Sequence, residues 1–492
     1  MTTTDLIALL PMLTLGTSCI MTMLAIAVRR DHATIAVLSG VACLITLATL
    51  PVSALIIPHS VTPLLIIDGY ALLYMGLIVT ATAVIIALSY GYLSLHLRGQ
   101  EQCEEYYLLL LLATFGGLVL VTAVHLVSFF LGLELLGVSL YSLIGYLRTR
   151  REPLEAALKY IVLSGSASAF LLFGMALLYF ETGTMAFNQM GASVTASHLP
   201  PLWLTGFLLI FVGVGFKLGL VPFHLWIPDV YQGAPAPVTA FVATVSKGAV
   251  FALLLRFVGD LQALHQGRLG LLVALMAGAS MFVGNFLALL QQNVKRLLAY
   301  SSITHFGYLL VALLAGGSLA AEAVTFYVIA YFITTLGAFG IVTVLSREDG
   351  DADSMEDYRG LFWLHPWLAA TFMLMLLSLA GIPLTVGFVG KFYAIVAGLD
   401  ANLWFLVVLL VINSVIGLYY YLRLVLIMVE EPVGGRQKLQ WGFHGEIATE
   451  WTVLFSLGFV TIMLLWLGLY PGPLMEFIRV MLGPTVTSIA SS

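Results

Sequence analysis

Charge is what this 492-residue sequence has least of. Asp, Glu, Lys and Arg together make up 9% of it, where a soluble domain carries about 25%. So few charges cannot cover the surface of a folded protein this size in water, which excludes a large soluble enzyme. Cysteine is nearly absent. Cys19, Cys43 and Cys103 are far apart and odd in number, so they offer no disulfide framework, no CxxC pair and no zinc or iron–sulfur spacing. There is no GxxxxGK[ST] and no GxGxxG, hence no nucleotide loop. A net charge of −5 argues against a nucleic-acid partner.

What is present is apolar: 61% of the residues are hydrophobic. A helix needs about 20 apolar residues to span the hydrocarbon, whereas a β-barrel would show short alternating segments. The runs here are long and continuous. They predict an all-α polytopic membrane protein with about fourteen transmembrane helices. The expected spans are 4–28, 33–57, 70–95, 106–124, 126–147, 154–180, 203–221, 238–258, 269–290, 297–315, 320–346, 361–382, 402–429 and 452–470. The first run, Leu6 to Val28, is too long for a secretory h-region and has no basic residue before it, so it reads as a retained helix.

Basic residues in short loops set orientation. With the N-terminus outside, the inner loops hold Arg29, Arg30, Arg98, Arg148, Arg150, Arg151, Lys295, Arg296, Arg347, Arg359, Arg436 and Lys438. The outer segments hold only Arg256, Arg268 and Arg479. Both termini are therefore expected outside. The acidic stretch 347–359 (REDGDADSMEDYR) is expected to face the cytoplasm.

A faint internal repeat relates 139–146 (SLYSLIGY) to 301–308 (SSITHFGY). Each is followed by a helix-breaking proline, 77 residues from Gly145 to Pro222 and 76 from Gly307 to Pro383. Units of five helices would enter the membrane with opposite polarity, the inverted repeat of many transporters. The expected division is a three-helix segment 1–105, a first repeat 106–258, a second repeat 269–429, and a C-terminal loop and last helix 430–492.

A charge at the bilayer centre costs roughly 2.5–3.5 kcal/mol on insertion scales, so each one in an apolar run asks for a reason. Lys159, Lys217, Lys247 and Lys391 are such charges. Lys159, two turns from Arg151, reads either as a lysine snorkelling to the inner interface or as part of a proton path. Lys217 and Lys247 are flanked by small residues and lie away from their helix ends on at least one side, which favours function. Lys391 reads either as a proton site or as support for a helix break. Glu134 is the carboxylate within the apolar stretch 128–145, and it reads as a salt bridge or as a switch. A buried lysine titrates readily, so a carboxylate that approaches or withdraws can hold or release its proton.

Two segments read as broken helices, 217–237 and 380–391. Proline removes a backbone donor and clashes with the preceding turn. At membrane depth the freed groups must be met by protein or water. His224 beside the first break is either a proton relay or a partner for the broken backbone. Tyr300 and His305 are secondary relay candidates, each equally readable as packing. Lys295 is an inside-facing anchor or the guard of a proton entrance. His125 reads as a helix-boundary residue.

The segments 221–238 (VPFHLWIPDVYQGAPAPV), 381–383 (GIP), 387–393 (GFVGKFY) and 293–302 (NVKRLLAYSS) resemble the antiporter-like membrane subunits of bacterial NADH–quinone oxidoreductase, respiratory complex I. That family also includes subunits of multisubunit cation/proton antiporters, and the resemblance spans essentially the whole chain. It implies two inverted five-helix repeats, a half-channel in each, and a polar axis along the membrane midplane. It implies that Glu134 and Lys217 are a coupling pair, Lys247 a central relay and Lys391 a terminal site, with His224 at the family's histidine beside the first break. The sibling subunit M carries glutamate where Lys391 stands. Ile227 departs from the family pattern, which has threonine there.

The resemblance further implies a proton-translocating membrane subunit. It would couple electron transfer from NADH to quinone, carried out in other subunits, to proton movement across the bacterial inner membrane. No cofactor is expected in this chain; flavin and iron–sulfur clusters would lie in partner subunits. The expected partners are subunit M, the small quinone-side membrane subunits and the lipid bilayer, with no nucleic acid. The alternative is a subunit of a multisubunit sodium/proton antiporter.

Overall fold

The computed structural model describes residues 2–97, 103–192, 200–261, 267–431 and 447–490. Arg98, Arg436 and Lys438, which entered the charge count above, lie outside the described residues.

The chain is helical almost throughout. In order the helices are α1 Thr3–Ala8, α2 Leu10–Val28, α3 His32–Ser53, α4 Gly69–His96, α5 Glu105–Thr122, α6 Leu126–Ile144 and α7 Arg151–Thr182. Then come α8 Phe187–Ala192, α9 Pro201–Leu218, α10 Trp226–Gly233, α11 Ala236–Phe241, α12 Lys247–Leu261, α13 Gly267–Leu289 and α14 Val294–Ala315. The last are α15 Gly317–Leu345, α16 Leu361–Leu364, α17 Pro366–Ala380, α18 Val386–Asp400, α19 Trp404–Val429, α20 Ile447–Leu469 and α21 Gly472–Ala490. A short hairpin, β1 His59–Val61 with β2 Leu65–Ile67, pairs His59 with Ile67 in antiparallel register.

Among the described residues, thirteen helical segments are long and apolar enough to cross a membrane. A π turn over Val242–Ser246 joins α11 and α12 into one span. The expected helix 361–382 is arranged differently: Pro366 opens α17, the helix stops at Ala380, and α18 resumes at Val386. A proline suits the first helical position, whose N–H has no partner in any case. A second difference lies after residue 470, where the last expected span ends and a further helix, α21, is found, tied to α15 by Arg479 and Glu322 at 3.1 Å.

Local chemistry explains where the elements begin. The carboxylates of Asp31 and Asp68 accept from the backbone N–H of Thr34 and Ala71, and Asn293 accepts from Arg296, so α3, α4 and α14 each start on a side-chain cap. α14 is buried at every position but Arg296 and Ala315, and α15 nearly throughout. The two form the centre of the bundle. Large apolar side chains face outward on the peripheral helices, among them Val162, Phe173 and Phe180 of α7 and Leu131 and Val138 of α6. That inversion suits a lipid solvent. α5 packs on α6 as α13 packs on α14, and α7 packs on α9 as α15 packs on α17 and α18.

Charges collect at the two ends of the bundle. At one end Arg30 meets Glu105, Arg150 donates to the Glu348 carbonyl oxygen, Lys295 meets Asp351, and Arg359 meets Glu356 and Glu430. At the other end Arg256 meets Asp68, His59 meets Asp5, and Arg479 meets Glu322. The segments expected on one side of the membrane thus lie together.

Candidate functional site

The two broken helices are built alike. α9 ends on Gly219 with φ +72°, and the N–H groups of Gly219 and Leu220 return to the carbonyls of Gly215 and Phe216. α17 ends on Gly381 with φ +84°, and the N–H groups of Gly381 and Ile382 both return to Leu377. This is the left-handed glycine stop of a helix C-terminus. Proline follows at 222 and 383 and prevents the helix from resuming. Serines meet the donors freed by each break: Ser280 accepts from Val221 N at 3.0 Å, and Ser378 accepts from Gly387 N at 3.0 Å.

Three lysines gather around these breaks. Lys217 stands in the last turn of α9, 5% exposed. Its Nζ donates to Ser164 Oγ of α7 at 2.7 Å, and the Ser164 hydroxyl is in turn 2.8 Å from Tyr141 OH of α6. The Tyr160 ring lies 5.7 Å from the ammonium. Gly137 makes room for it, since a β-carbon there would sit 3.2 Å from Nζ. Glu134, one turn before Gly137, is half-buried and accepts from Ser168 Oγ at 2.5 Å. Glu134 and Lys217 form no ion pair. The two hydroxyls of α7, one turn apart, hold one each.

Lys247 opens α12 directly after the π turn and is 0% exposed. It donates to Ser302 Oγ at 2.6 Å and lies 4.9 Å from the Phe306 ring and 5.5 Å from the Tyr231 ring. Tyr331 donates to the same serine at 2.9 Å. Ile227, fully buried, packs against Gly219. A β-carbon on that glycine would meet Ile227 Cδ1 at 1.6 Å and Lys247 Nζ at 3.7 Å. An isoleucine methyl therefore stands beside Lys247 where the family pattern led us to expect a hydroxyl.

His305, on α14 one turn beyond Ser302, bonds the Tyr327 hydroxyl at 2.9 Å through Nδ1 and the Tyr421 hydroxyl at 3.4 Å through Nε2. Tyr308, the next turn on, places its ring 5.4 Å from Lys391 Nζ. Lys391 itself is 6% exposed and donates to the carbonyls of Leu379 at 2.9 Å and Ala380 at 2.8 Å, and to Ser414 Oγ at 3.0 Å. Ser302, His305 and Tyr308 recur every three residues, so one helix links the surroundings of Lys247 to those of Lys391.

The other candidates fall elsewhere. His224 is buried in the turn between Pro222 and Trp226, and its Nδ1 has no hydrogen-bond partner among the described residues. Lys159 is not drawn into the buried chain. It is partly exposed and pairs with Glu155 and Asp229, both at 2.8 Å, and Asp229 also pairs with Arg296 at 2.8 Å. Lys295 is 1% exposed in the same end region, donating to Ala234 O at 2.7 Å and Asp351 at 2.5 Å. Tyr300 is buried, 8% exposed. His125 caps α6, accepting from Val127 N at 3.2 Å. Sequence reasoning missed Ser164, Ser168, Tyr141, Gly137, Ser302, Tyr331 and Asp351. Only the one-turn spacing of Ser164 and Ser168 hinted at a shared face.

Lysines buried around helix breaks, each held by a hydroxyl, mark a membrane subunit that moves cations, of the transmembrane class common to NADH:quinone oxidoreductases and Mrp antiporters. The model of the family described as NADH:quinone oxidoreductase/Mrp antiporter, TM, matches residues 123–417. A protein named NADH-quinone oxidoreductase subunit N, from Ectopseudomonas mendocina, is 49% identical over 490 residues, covering 97% of each chain. A chain of respiratory complex I from Thermus thermophilus is 32% identical with a TM-score of 0.80, covering 95% of this chain and 98% of that one. A chain of the Mrp complex from Dietzia sp. superposes with a TM-score of 0.84 at 20% identity, over 100% of this chain and 99% of that one, a likeness of fold alone. The chain belongs to the family of NADH-quinone oxidoreductase N subunits.

Proposed function

We propose that this chain is a proton-translocating membrane subunit of an NADH:quinone oxidoreductase, coupling electron transfer in other subunits to proton movement across the inner membrane. The observation that carries this reading is the set of lysines at 217, 247 and 391, each at most 6% exposed and none in an ion pair among the described residues. Unpaired charges at such depth are expensive and are retained for function. On this reading Lys217 and Lys247 exchange protons, and Glu134 biases Lys217 through the α7 serines. His305 carries the polar line toward the second break, where Lys391 supplies positive charge. His224 lends an imidazole to the first break, while Lys295 and Lys159 order the inner mouth.

The similar packing of α5 on α6 and of α13 on α14 supports the two-repeat division at 106–258 and 269–429. The basic bias supports both termini outside. The partners are then subunit M, the small quinone-side membrane subunits and the bilayer, with flavin and iron–sulfur clusters in other subunits. The sodium/proton antiporter reading has a shared fold behind it, and 49% identity to a protein named subunit N favours the first. Lys217→Ala tests the proposal. In the assembled complex it lowers quinone reduction and proton pumping severalfold, while NADH oxidation by an artificial acceptor survives. Normal pumping by the assembled variant rejects the reading.

A further inference from the structure

The lysines of the site differ in the chemistry of their partners. An ammonium only donates hydrogen bonds, and the neutral amine also offers a lone pair. A hydroxyl can accept from the first and donate to the second. A backbone carbonyl can only accept. Lys391 is held by the carbonyls of Leu379 and Ala380. Lys217 is held by a hydroxyl, Ser164 Oγ at 2.7 Å, which is 0% exposed and is itself 2.8 Å from the Tyr141 hydroxyl.

We infer that Ser164, backed by Tyr141, is the positioning residue that lets Lys217 occupy one buried place in either protonation state. This rests on the reading of Lys217 as an exchanging lysine. With Lys217 charged, Ser164 accepts from Nζ and turns its own hydrogen toward Tyr141. With Lys217 neutral, Tyr141 donates to Ser164 and Ser164 donates to Nζ. Only hydroxyl hydrogens rotate, and the heavy atoms keep the same separations. The titratable groups that face Lys217 are Glu134 and Tyr141 from α6, Tyr160 from α7, and Lys247, which reaches the same break from α12. Among these, Tyr141 is the one that Ser164 itself contacts. Ser168, one turn on, holds Glu134, so a single face of α7 carries a partner for each end of the pair.

The test measures pumping by the assembled complex in proteoliposomes as a function of pH. Removing the hydroxyl takes more from the charged lysine than from the neutral one, because a bond to an ion is about twice as strong as a neutral bond. Ser164→Ala is expected to move the profile toward acid by roughly one pH unit. Ser164→Thr restores it. Ser164→Cys, close in size with a weaker acceptor, moves it the same way by less, and decides the matter if the alanine variant does not assemble. Profiles for Ser164→Ala and Ser164→Cys that match wild type overturn the inference, provided Lys217→Ala has abolished pumping. Full pumping by Lys217→Ala removes the reading beneath it as well.

Discussion

Lys391 Nζ lies 2.8 Å from the carbonyl oxygen of Ala380, so the lysine of α18 caps the last turn of α17 across the break. The last carbonyls of a helix have no intrahelical partner, and a cation near them is favoured by the helix dipole. With Leu379 O and Ser414 Oγ the ammonium has three partners, two of which can only accept. Arginine keeps the charge and offers five donors. Lys391→Arg is therefore expected to retain most pumping. Lys391→Met leaves the carbonyls unmet, at about 1.5–3 kcal/mol for each bond to the charged group, and is expected to lose both pumping and thermal stability. Lys391→Glu should behave like methionine, since an ionised carboxylate brings only acceptors to the site. The measurement is pumping beside a melting curve of the purified complex. An arginine variant as inactive as methionine would return Lys391 to the role of proton carrier.

How much of this was legible in the sequence differs by residue. The breaks at Pro222 and Pro383 were plain, because proline and the glycine before it act on their own backbone. The burial of Lys217, Lys247 and Lys391 followed from the apolar runs around them. The partners of Lys217 and Lys247 did not follow, because α7 and α14 bring those groups from more than fifty residues away. Ser166 shows why. Its hydroxyl bonds the Val162 carbonyl of its own helix at 3.0 Å, the usual fate of a helical serine. Nothing in the local sequence separates it from Ser164 or Ser168, whose hydroxyls are claimed by other helices. For Lys159 the distance to Arg151 left an interface lysine and a proton-path group both open, and Asp229, which pairs with it, was not legible. α21 escaped because glycine and proline stand among its residues.

Glu134 meets Ser168 rather than Lys217, so its influence on the lysine passes through space and through α7. Charge is then what matters. Glu134→Gln keeps an oxygen for Ser168 and loses the charge, and is expected to pump as poorly as Glu134→Ala. Glu134→Asp keeps the charge on a shorter reach and should be milder than either. Pumping rates of the three assembled variants decide it, and a glutamine variant with wild-type rate would assign the work to the hydrogen bond.

The Lys295–Asp351 pair, 1% and 10% exposed, fastens the loop after α15 to the N-terminal end of α14. Burial alone would push the Asp351 carboxyl up. The Lys295 charge, with bonds from Lys295 and Tyr92, outweighs it and holds the carboxyl below its usual range. A lowered carboxylate stabilises the fold fully above its unfolded value near 3.9, and that contribution is lost as pH falls through the folded value. The melting temperature of the wild-type complex should thus show no change from this pair between pH 7 and about 5 and fall in stronger acid. Asp351→Ala strands a buried ammonium, at about 3–5 kcal/mol, and should lower the melting temperature at pH 7. Adding Lys295→Met should recover much of that loss. A single variant as stable as wild type at pH 7 would show that the pair adds nothing.

The orientation of the bundle can be read from the same loop, provided the probe position is chosen with the structure in hand. Asp351 is unsuitable, since it is buried against Lys295 and Tyr92. Asp349 is exposed, two residues away in the acidic stretch. The basic residues Arg30, Arg150, Lys295, Arg296, Arg347 and Arg359 belong to the same end of the bundle, linked by their ion pairs and loop contacts. Loops rich in Lys and Arg stay on the cytoplasmic side. The native cysteines Cys19, Cys43 and Cys103 are all buried, so they give little background to a membrane-impermeant thiol reagent. Asp349→Cys is expected to resist that reagent in intact cells and to react in inverted vesicles. A cysteine at Thr62, in the hairpin at the opposite end of the bundle, should give the reverse. Labelling of Asp349→Cys in intact cells, with Thr62→Cys protected, would turn the molecule over and place both termini in the cytoplasm.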